Sequence, residues 1–197
     1  MNSSGIEILS NPQPCAHIVY SYTDDAHLAE AVRVFASAGL QRGEAVLLIP
    51  TWDHYDRVRQ RLEHDGFNLS ELEATGQLVN EAAKNLLYTF MSDGLLDEHK
   101  FKTKIGSMIE KAKEGGGGDR KPRPVRVFGE MVDLIWKSDP KATERLEQLW
   151  NEVIKTHSAT LLCAYSLSGT TNALPQPLLS CHSHAVSQEL ALNQSVG

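Results

Sequence analysis

The sequence predicts a three-layer α/β fold in which a mostly parallel sheet carries helices on both faces. Three observations support this class. The runs Ala45–Ile49, Val125–Phe128 and Ala159–Tyr165 are apolar throughout, as is typical of strands covered on both faces. Amphipathic helical patterns separate these runs. A regular alternation of strands and helices favours a parallel sheet with crossover helices.

The composition indicates a soluble globular protein. The 197 residues, 41% hydrophobic and 22% charged, suffice for one core. A formal net charge of −6 disfavours nucleic-acid binding, because phosphates attract basic surfaces. No apolar run approaches the roughly 20 residues of a membrane span, and no signal peptide is visible. The three cysteines do not suggest a disulfide framework, so we expect a cytoplasmic location.

We divide the chain into a flexible N-terminal arm at residues 1–14, a single domain at residues 15–190 and a tail at residues 191–197. The arm is polar and contains Pro12 and Pro14. No internal repeat indicates a second domain.

The domain is expected to begin with a strand at Ala16–Tyr22. Thr23 or Asp24 can cap the next helix, because their side-chain oxygens accept amide hydrogens of the first turn. Apolar residues recur at helical spacing over Leu28–Ala36, which predicts one buried face. Gly39 is expected to end this helix.

A second helix should follow Ala45–Ile49 and stop at Asp65–Gly66. Ser70 can cap a short helical turn, and Gln77–Asn80 is predicted to be a strand. The apolar segment Leu86–Met91 is either a short helix or a mobile flap.

In the second half, Asp97 is expected to cap an amphipathic helix. Ser138 or Asp139 caps another, with Pro140 at its first position, where proline is tolerated. A short helix is expected within Pro177–Leu190.

The sequence argues against a working phosphate loop. Such a loop follows a strand, opens a helix and carries Lys-Ser/Thr. The four glycines Gly115–Gly118 instead follow a helix and precede a proline-rich link, so we expect a surface loop. After the first strand, Tyr20–Ala26 contains neither glycine nor lysine.

Glu130 is the strongest site candidate. It follows the buried strand Val125–Phe128 and Gly129, and open parallel sheets place ligands at the carboxyl ends of their strands. The segment Val132–Trp136 suits a short helix. Alternatively, Glu130 caps this helix or pairs with an arginine, since first-turn carboxylates favour the helix dipole.

Other strand-end residues are predicted to form one ligand pocket with Glu130. These aromatic, apolar or hydroxyl-bearing residues are Tyr20, Tyr22, Thr51, Trp52, Met131, Trp136 and Tyr165. Such a lining is typical of a small-molecule site. Core packing is the alternative for the tryptophans. The set pairs no nucleophile with a base, so catalysis is not indicated, although Glu130 as a general base is an alternative.

No metal site or cofactor is predicted. Two groups of cysteine and histidine lie close in the chain, Cys15 with His17 and Cys181 with His182 and His184. No CxxC pair or pair of histidines on a helix supports coordination. Cys163 lies within an apolar strand and is expected to be an inert core thiol.

Five segments in order resemble a known family. They are His17-Ile-Val-Tyr20, Phe35 to Glu44 with Gly39-Leu-Gln-Arg-Gly-Glu44, Gly76-Gln-Leu78, Val127-Phe-Gly-Glu-Met131 and Leu162-Cys-Ala-Tyr165. Together they resemble the MEDS domain, the sensory domain of methanogens and methylotrophs named with the regulator DcmR. The resemblance covers roughly residues 14–190.

This resemblance implies a RecA/KaiC-like fold without a working Walker A loop. Its members are proposed to sense small hydrocarbon derivatives and often precede histidine kinase or DNA-binding modules. It also implies that His17, Glu130 and Tyr165 are pocket residues. The chain departs from the pattern in two respects: no output domain follows before Gly197, and the Gly115–Gly118 loop is longer than expected.

The resulting hypothesis is a cytoplasmic, non-enzymatic sensory module. It would bind a small, largely apolar ligand, such as a hydrocarbon or C1-type derivative. It would relay its state to a separate signalling partner, such as a histidine kinase or transcription regulator. The alternative is a non-catalytic RecA-like scaffold that acts through protein–protein association, and a homodimer is compatible with both.

Overall fold

The computed structural model describes residues 5–92, 95–115, 121–169 and 173–188, in which helices and strands alternate along most of the chain. The strands are β1 His17–Tyr22, β2 Ala45–Ile49, β3 Leu78–Asn80, β4 Met91–Ser92, β5 Leu95–Leu96, β6 Val125–Gly129, β7 Ala159–Ser166 and β8 His184–Ser187. The helices are α1 Gly5–Ser10, α2 Asp25–Gln41, α3 Trp52–His64, α4 Leu69–Ala74, α5 Ala83–Phe90, α6 Glu98–Glu114, α7 Pro140–Thr156 and α8 Gln176–Ser180.

Six strands form one parallel sheet in the order β3-β2-β6-β7-β1-β8, while β4 and β5 form a separate antiparallel pair. Residues of α5, α6 and α7 build a hydrophobic core on one face, and residues of α2 and α3 build another on the opposite face. The predicted α/β class with helices on both faces of a parallel sheet is therefore confirmed. Every residue of β2 is buried, as its apolar sequence predicts.

Helix α2 begins as predicted but continues past Gly39. Asp24 caps it by accepting the amide hydrogens of Ala26 and His27. Gly39 lies inside the helix, and a Cβ there would come within 2.8 Å of the Arg126 side chain. The glycine therefore makes room for a buried arginine, which forms an ion pair with Glu44.

The start of the described chain differs from the expected loose arm. Residues Gly5–Ser10 form α1, in which Leu9 is buried against the core. Arg126 donates to the Leu9 carbonyl at 3.2 Å, so the sheet anchors this helix directly.

Two local predictions are corrected and one open alternative is decided. Asn68, not Ser70, caps α4, since its side chain accepts the Glu71 amide hydrogen. For Leu86–Met91 the first alternative, a short helix, is confirmed, because the segment falls largely in α5 and its apolar residues pack in the core. Residues 131–138 form successive turns instead of a helix, because Asp133 accepts the Ser166 amide hydrogen and ties the segment to β7.

The C-terminal region contains the expected short helix, α8, and also β8, which sequence reasoning did not predict. Residues 116–118 of the predicted glycine loop and the predicted tail at residues 191–197 lie outside the described residues. In the described parts of the chain, no helix has both the length and the apolar character needed to cross a membrane.

Candidate functional site

The sheet distributes the nine predicted site residues over its two faces, because side chains alternate along each strand. On or beside the α2 and α3 face are Tyr20, Tyr22, Thr51, Trp52 and Glu130. On the α7 face are His17, Met131, Trp136 and Tyr165. The structure does not bring all nine into one pocket, and Trp52 is 64% exposed. Their role in ligand binding stays a prediction.

The first polar cluster, which we call the α3 cluster, consists of Asp25, Thr51, His54 and Glu130. Glu130 is fully buried directly after β6. One carboxylate oxygen accepts the Thr51 amide hydrogen at 2.7 Å, and the other lies 2.5 Å from His54 Nδ1. His54 Nε2 lies 3.3 Å from Asp25 Oδ1. Glu130 therefore neither caps a helix nor pairs with an arginine, but contacts a histidine.

The α3 cluster carries an imidazolium between two carboxylates. Burial alone would lower the pKa of His54, but the hydrogen bonds and charges of Glu130 and Asp25 raise it to about 9. Tyr22 packs edge-on against His54, and burial together with the charge of Glu130 raises the pKa of its phenol. His54 and Glu130 thus form an ion pair, and the Glu130 carboxylate accepts strong hydrogen bonds from both His54 and the Thr51 amide.

The N-terminus of α2 is where a phosphate loop would deliver its ligand in a nucleotide hydrolase of this architecture. Here the Asp24 carboxylate accepts the Ala26 amide hydrogen at 2.7 Å and that of His27 at 3.3 Å. A carboxylate thus occupies the amides that would otherwise bind phosphate, in agreement with the missing glycines and lysine.

The second polar cluster lies on the opposite face and consists of His17, Glu147, Cys163, Tyr165 and His182; we call it the α7 cluster. Glu147 of α7 is fully buried. Its Oε2 lies 3.2 Å from His17 Nε2 and 3.5 Å from Cys163 Sγ. Its Oε1 lies 3.2 Å from His182 Nε2 and accepts the Tyr165 hydroxyl hydrogen. His17 Nε2 is 3.3 Å from Cys163 Sγ.

Burial and the neighbouring imidazoles determine the charges of the α7 cluster. Burial would raise the pKa of Glu147, yet His17 and His182 together lower it below its usual range. Burial and the negative charge of Glu147 raise the pKa values of the Cys163 thiol and the Tyr165 phenol. Cys163 is buried, as predicted, but it contacts polar groups instead of apolar core alone.

The α7 cluster has the chemistry of a metal-binding set. One nitrogen, sulfur or oxygen atom from each of four residues, His17, Glu147, Cys163 and His182, lies within 4.8 Å of the other three. These residues come from β1, α7, β7 and the segment before β8. Imidazole, thiolate and carboxylate are the protein ligands of Zn²⁺.

An open groove of about 500 Å³, which we call the Trp136 groove, lies beyond the carboxyl ends of β6 and β7. Its lining residues are Trp136, Lys137, Pro140, Lys141, Glu144, Gly169, Pro175, Pro177 and Leu178. Trp136 is the one predicted site residue among them. Its ring packs edge-on against Tyr165, so one wall of the groove contacts the α7 cluster.

Sequence reasoning missed His54 and Glu147, although each leaves a signal. His54 lies four residues before Val58 and eight before Leu62, which places it on the buried side of α3. Glu147 lies three residues before Trp150 on the buried stripe of α7, where a charged residue requires a partner. The sequence groups His182 only with its chain neighbours Cys181 and His184, whereas its partners in the structure, Glu147 and His17, are distant in sequence.

Comparison with the sequence models of known protein families gives a match. The sequence model of the family described as "MEDS: MEthanogen/methylotroph, DcmR Sensory domain" matches residues 16–183, well over half of the chain. A search of curated proteins found no match.

Proposed function

The chain belongs to the MEDS family of sensory domains, and on that premise we propose that it senses a small, largely apolar molecule bound in the Trp136 groove. The groove itself is the observation that carries this proposal. It lies outside the carboxyl ends of parallel strands, the usual ligand position in open α/β sheets.

The lining of the groove indicates the class of ligand. Most of its walls are the apolar surfaces of Trp136, Leu178 and three prolines, which suit a hydrocarbon body. Lys137 and Lys141 offer positive charge for a polar or anionic end. A volume of about 500 Å³ favours a molecule of several carbon atoms, because a one-carbon compound would leave most of the groove filled with water.

Contacts behind the groove offer a route for a signal. Trp136 packs on Tyr165, whose hydroxyl donates to Glu147 of α7. Leu178 of α8 lines the groove, and its carbonyl contacts the His182 ring. A ligand that prefers one arrangement of α7 and α8 would shift the population of that arrangement. A separate signalling protein, such as a histidine kinase or transcription regulator, would then bind the favoured state.

We further propose that the domain acts without catalysis and is a RecA/KaiC-like relative that has lost its phosphate loop. Support comes from the family resemblance and from Asp24, which occupies the amides of the α2 N-terminus. A cytoplasmic location remains part of this proposal.

A thermal-shift experiment tests the groove. Short-chain alkanols, alkanoates, one-carbon compounds and nucleotides are the probes. A ligand at about 100 times its Kd should raise Tm by roughly 5–10 °C. We expect Trp136→Phe to reduce this shift, while Trp52→Phe, a matched change at an exposed tryptophan, leaves it intact.

Two results would contradict the proposal. A shift that is equally large in Trp136→Phe would place the ligand elsewhere. No shift with any probe would favour the scaffold alternative, which a mass measurement in solution would then test through self-association.

A further inference from the structure

Two buried imidazoles in the α7 cluster each have one ring nitrogen fixed from outside the cluster. His182 Nδ1 lies 2.8 Å from the Leu178 carbonyl oxygen, which can only accept, so this nitrogen carries hydrogen. His17 Nδ1 lies 3.2 Å from Asn151 Oδ1. The Asn151 amide is oriented by its Nδ2, which donates to the Cys181 carbonyl at 2.8 Å. Both Nδ1 atoms are therefore protonated, and both Nε2 atoms face into the cluster.

One ligand atom of the cluster lacks a satisfied contact. His182 Nε2 is buried and makes no well-aligned hydrogen bond among the described residues, although it lies 3.2 Å from Glu147 Oε1. A buried polar atom without a partner is costly, and a bound cation would give this nitrogen a partner.

The spacing of three of the four ligand atoms fits a small coordination sphere, and His182 Nε2 lies within 4.8 Å of the other three residues' ligand atoms. His17 Nε2 lies 3.2 Å from Glu147 Oε2 and 3.3 Å from Cys163 Sγ, and that oxygen and sulfur are 3.5 Å apart. Bonds of 2.0–2.3 Å at a tetrahedral centre give separations of about 3.3–3.6 Å between ligand atoms. The hydrogen bonds at the two Nδ1 atoms also match the way in which metal-bound histidines are held.

We propose that His17, Glu147, Cys163 and His182 form a binding site for one Zn²⁺ ion in the core of the domain. Two neutral imidazoles, one thiolate and one carboxylate would give a site without net charge, which suits burial. Binding forms the Zn–S bond and releases the thiol proton, and any second proton of an imidazole, to solvent. Tyr165 donates to the carboxylate and orients it. Four protein ligands close the coordination sphere, so the ion has a structural role. This inference does not depend on the Trp136 groove.

Elemental analysis of the purified full chain is the first test. The protein should carry no histidine tag and should pass through gel filtration in a metal-free buffer. We expect about one zinc ion per chain. After chelation, titration with Co²⁺ should give a thiolate charge-transfer band in the near ultraviolet that saturates at one equivalent.

Matched variants separate this site from adventitious metal. Cys163→Ser should abolish the Co²⁺ charge-transfer band, whereas Cys15→Ser, at a half-buried thiol outside the cluster, should retain it. A wild-type protein without stoichiometric zinc and without the Co²⁺ band would overturn the proposal, whatever the variants do. A band that survives in Cys163→Ser would overturn it as well.

Discussion

Two buried glutamates, one on each face of the sheet, have similar surroundings and different chemistry. Glu130 and Glu147 are both fully buried, and each contacts imidazole nitrogen. In the α3 cluster, one imidazole lies between the carboxylates of Glu130 and Asp25. In the α7 cluster, two imidazoles and a thiol surround one carboxylate.

Each buried histidine contacts a glutamate through one ring nitrogen. The comparison shows that the partner of its other ring nitrogen decides whether the histidine forms an ion pair or is available as a ligand. His54 has a carboxylate at both nitrogens, which makes the imidazolium the stable form. His182 has a carbonyl at one nitrogen and an unsatisfied position at the other. The first arrangement is a completed ion pair, and the second resembles a ligand set.

Changing each buried glutamate to glutamine tests the comparison through the free energy of unfolding. The largest effect is expected for Glu147→Gln. The change removes the one carboxylate that His17, His182 and Tyr165 contact, so we expect a loss of about 3–5 kcal/mol in the free energy of unfolding. Urea unfolding followed by circular dichroism measures it. Glu152→Gln, on the same helix but 47% exposed, should stay within about 1 kcal/mol of wild type. A loss below 1 kcal/mol at Glu147 would contradict the central role of its charge.

Glu130→Gln should have a smaller effect, about 1.5–3 kcal/mol, measured by the same urea unfolding. The amide oxygen still accepts the Thr51 amide hydrogen, but the amide NH2 group then faces His54 Nδ1, so the charge-assisted bond is lost and the imidazole must become neutral to accept a hydrogen bond. Glu73→Gln, which alters the partner of the Tyr55 hydroxyl, is the exposed control. If Glu130→Gln lowers the free energy of unfolding more than Glu147→Gln does, the α3 cluster, and not the α7 cluster, depends more strongly on its buried charge.

The smallest expected effect is on the pH dependence of the free energy of unfolding, to which His54 of the α3 cluster contributes. The pKa of His54 is raised to about 9 in the folded state, against about 6.5 when unfolded. Its stabilisation is therefore complete below pH 6.5 and is lost as the pH rises through 9.

Between pH 6 and pH 9.5, wild type should lose roughly 1–2 kcal/mol more stability than His54→Asn, a figure reduced for partial solvent screening. Glu130, Asp25 and Tyr22 are the ionisable groups that face His54, and both proteins retain them. Equal pH profiles, or a steeper loss in the variant, would show that His54 is not the group that titrates.

The fold could be predicted where burial leaves a strong pattern. Ala45–Ile49 and Ala159–Tyr165 are apolar on both faces, so their strand character does not depend on neighbours. β8 lacks this pattern, because it is an edge strand with Val186 as its one buried residue. The turns after Glu130 were missed because a tertiary bond from Asp133 to β7 overrides the local apolar spacing.

The candidate sites were predictable only in part. Glu130 follows from its place after a central strand, and the structure buries it at that edge. The α7 cluster depends on β7, β1 and β8 being adjacent, which brings His17 beside His182. Strand order is not encoded in local spacing, so residues this far apart in sequence could not be grouped beforehand.

The position of β8 also has a consequence for biosynthesis. β8 covers the edge of β1, and Ser183 bonds both the amide and the carbonyl of His17. A ribosome that adds 5–20 residues per second needs roughly 10–30 s to make the chain between these two strands. Because β7, the other neighbour of β1, is also made late, β1 lacks both partner strands for most of that time and can pair with strands of other chains. The last part of the domain to be synthesised therefore protects one of the first.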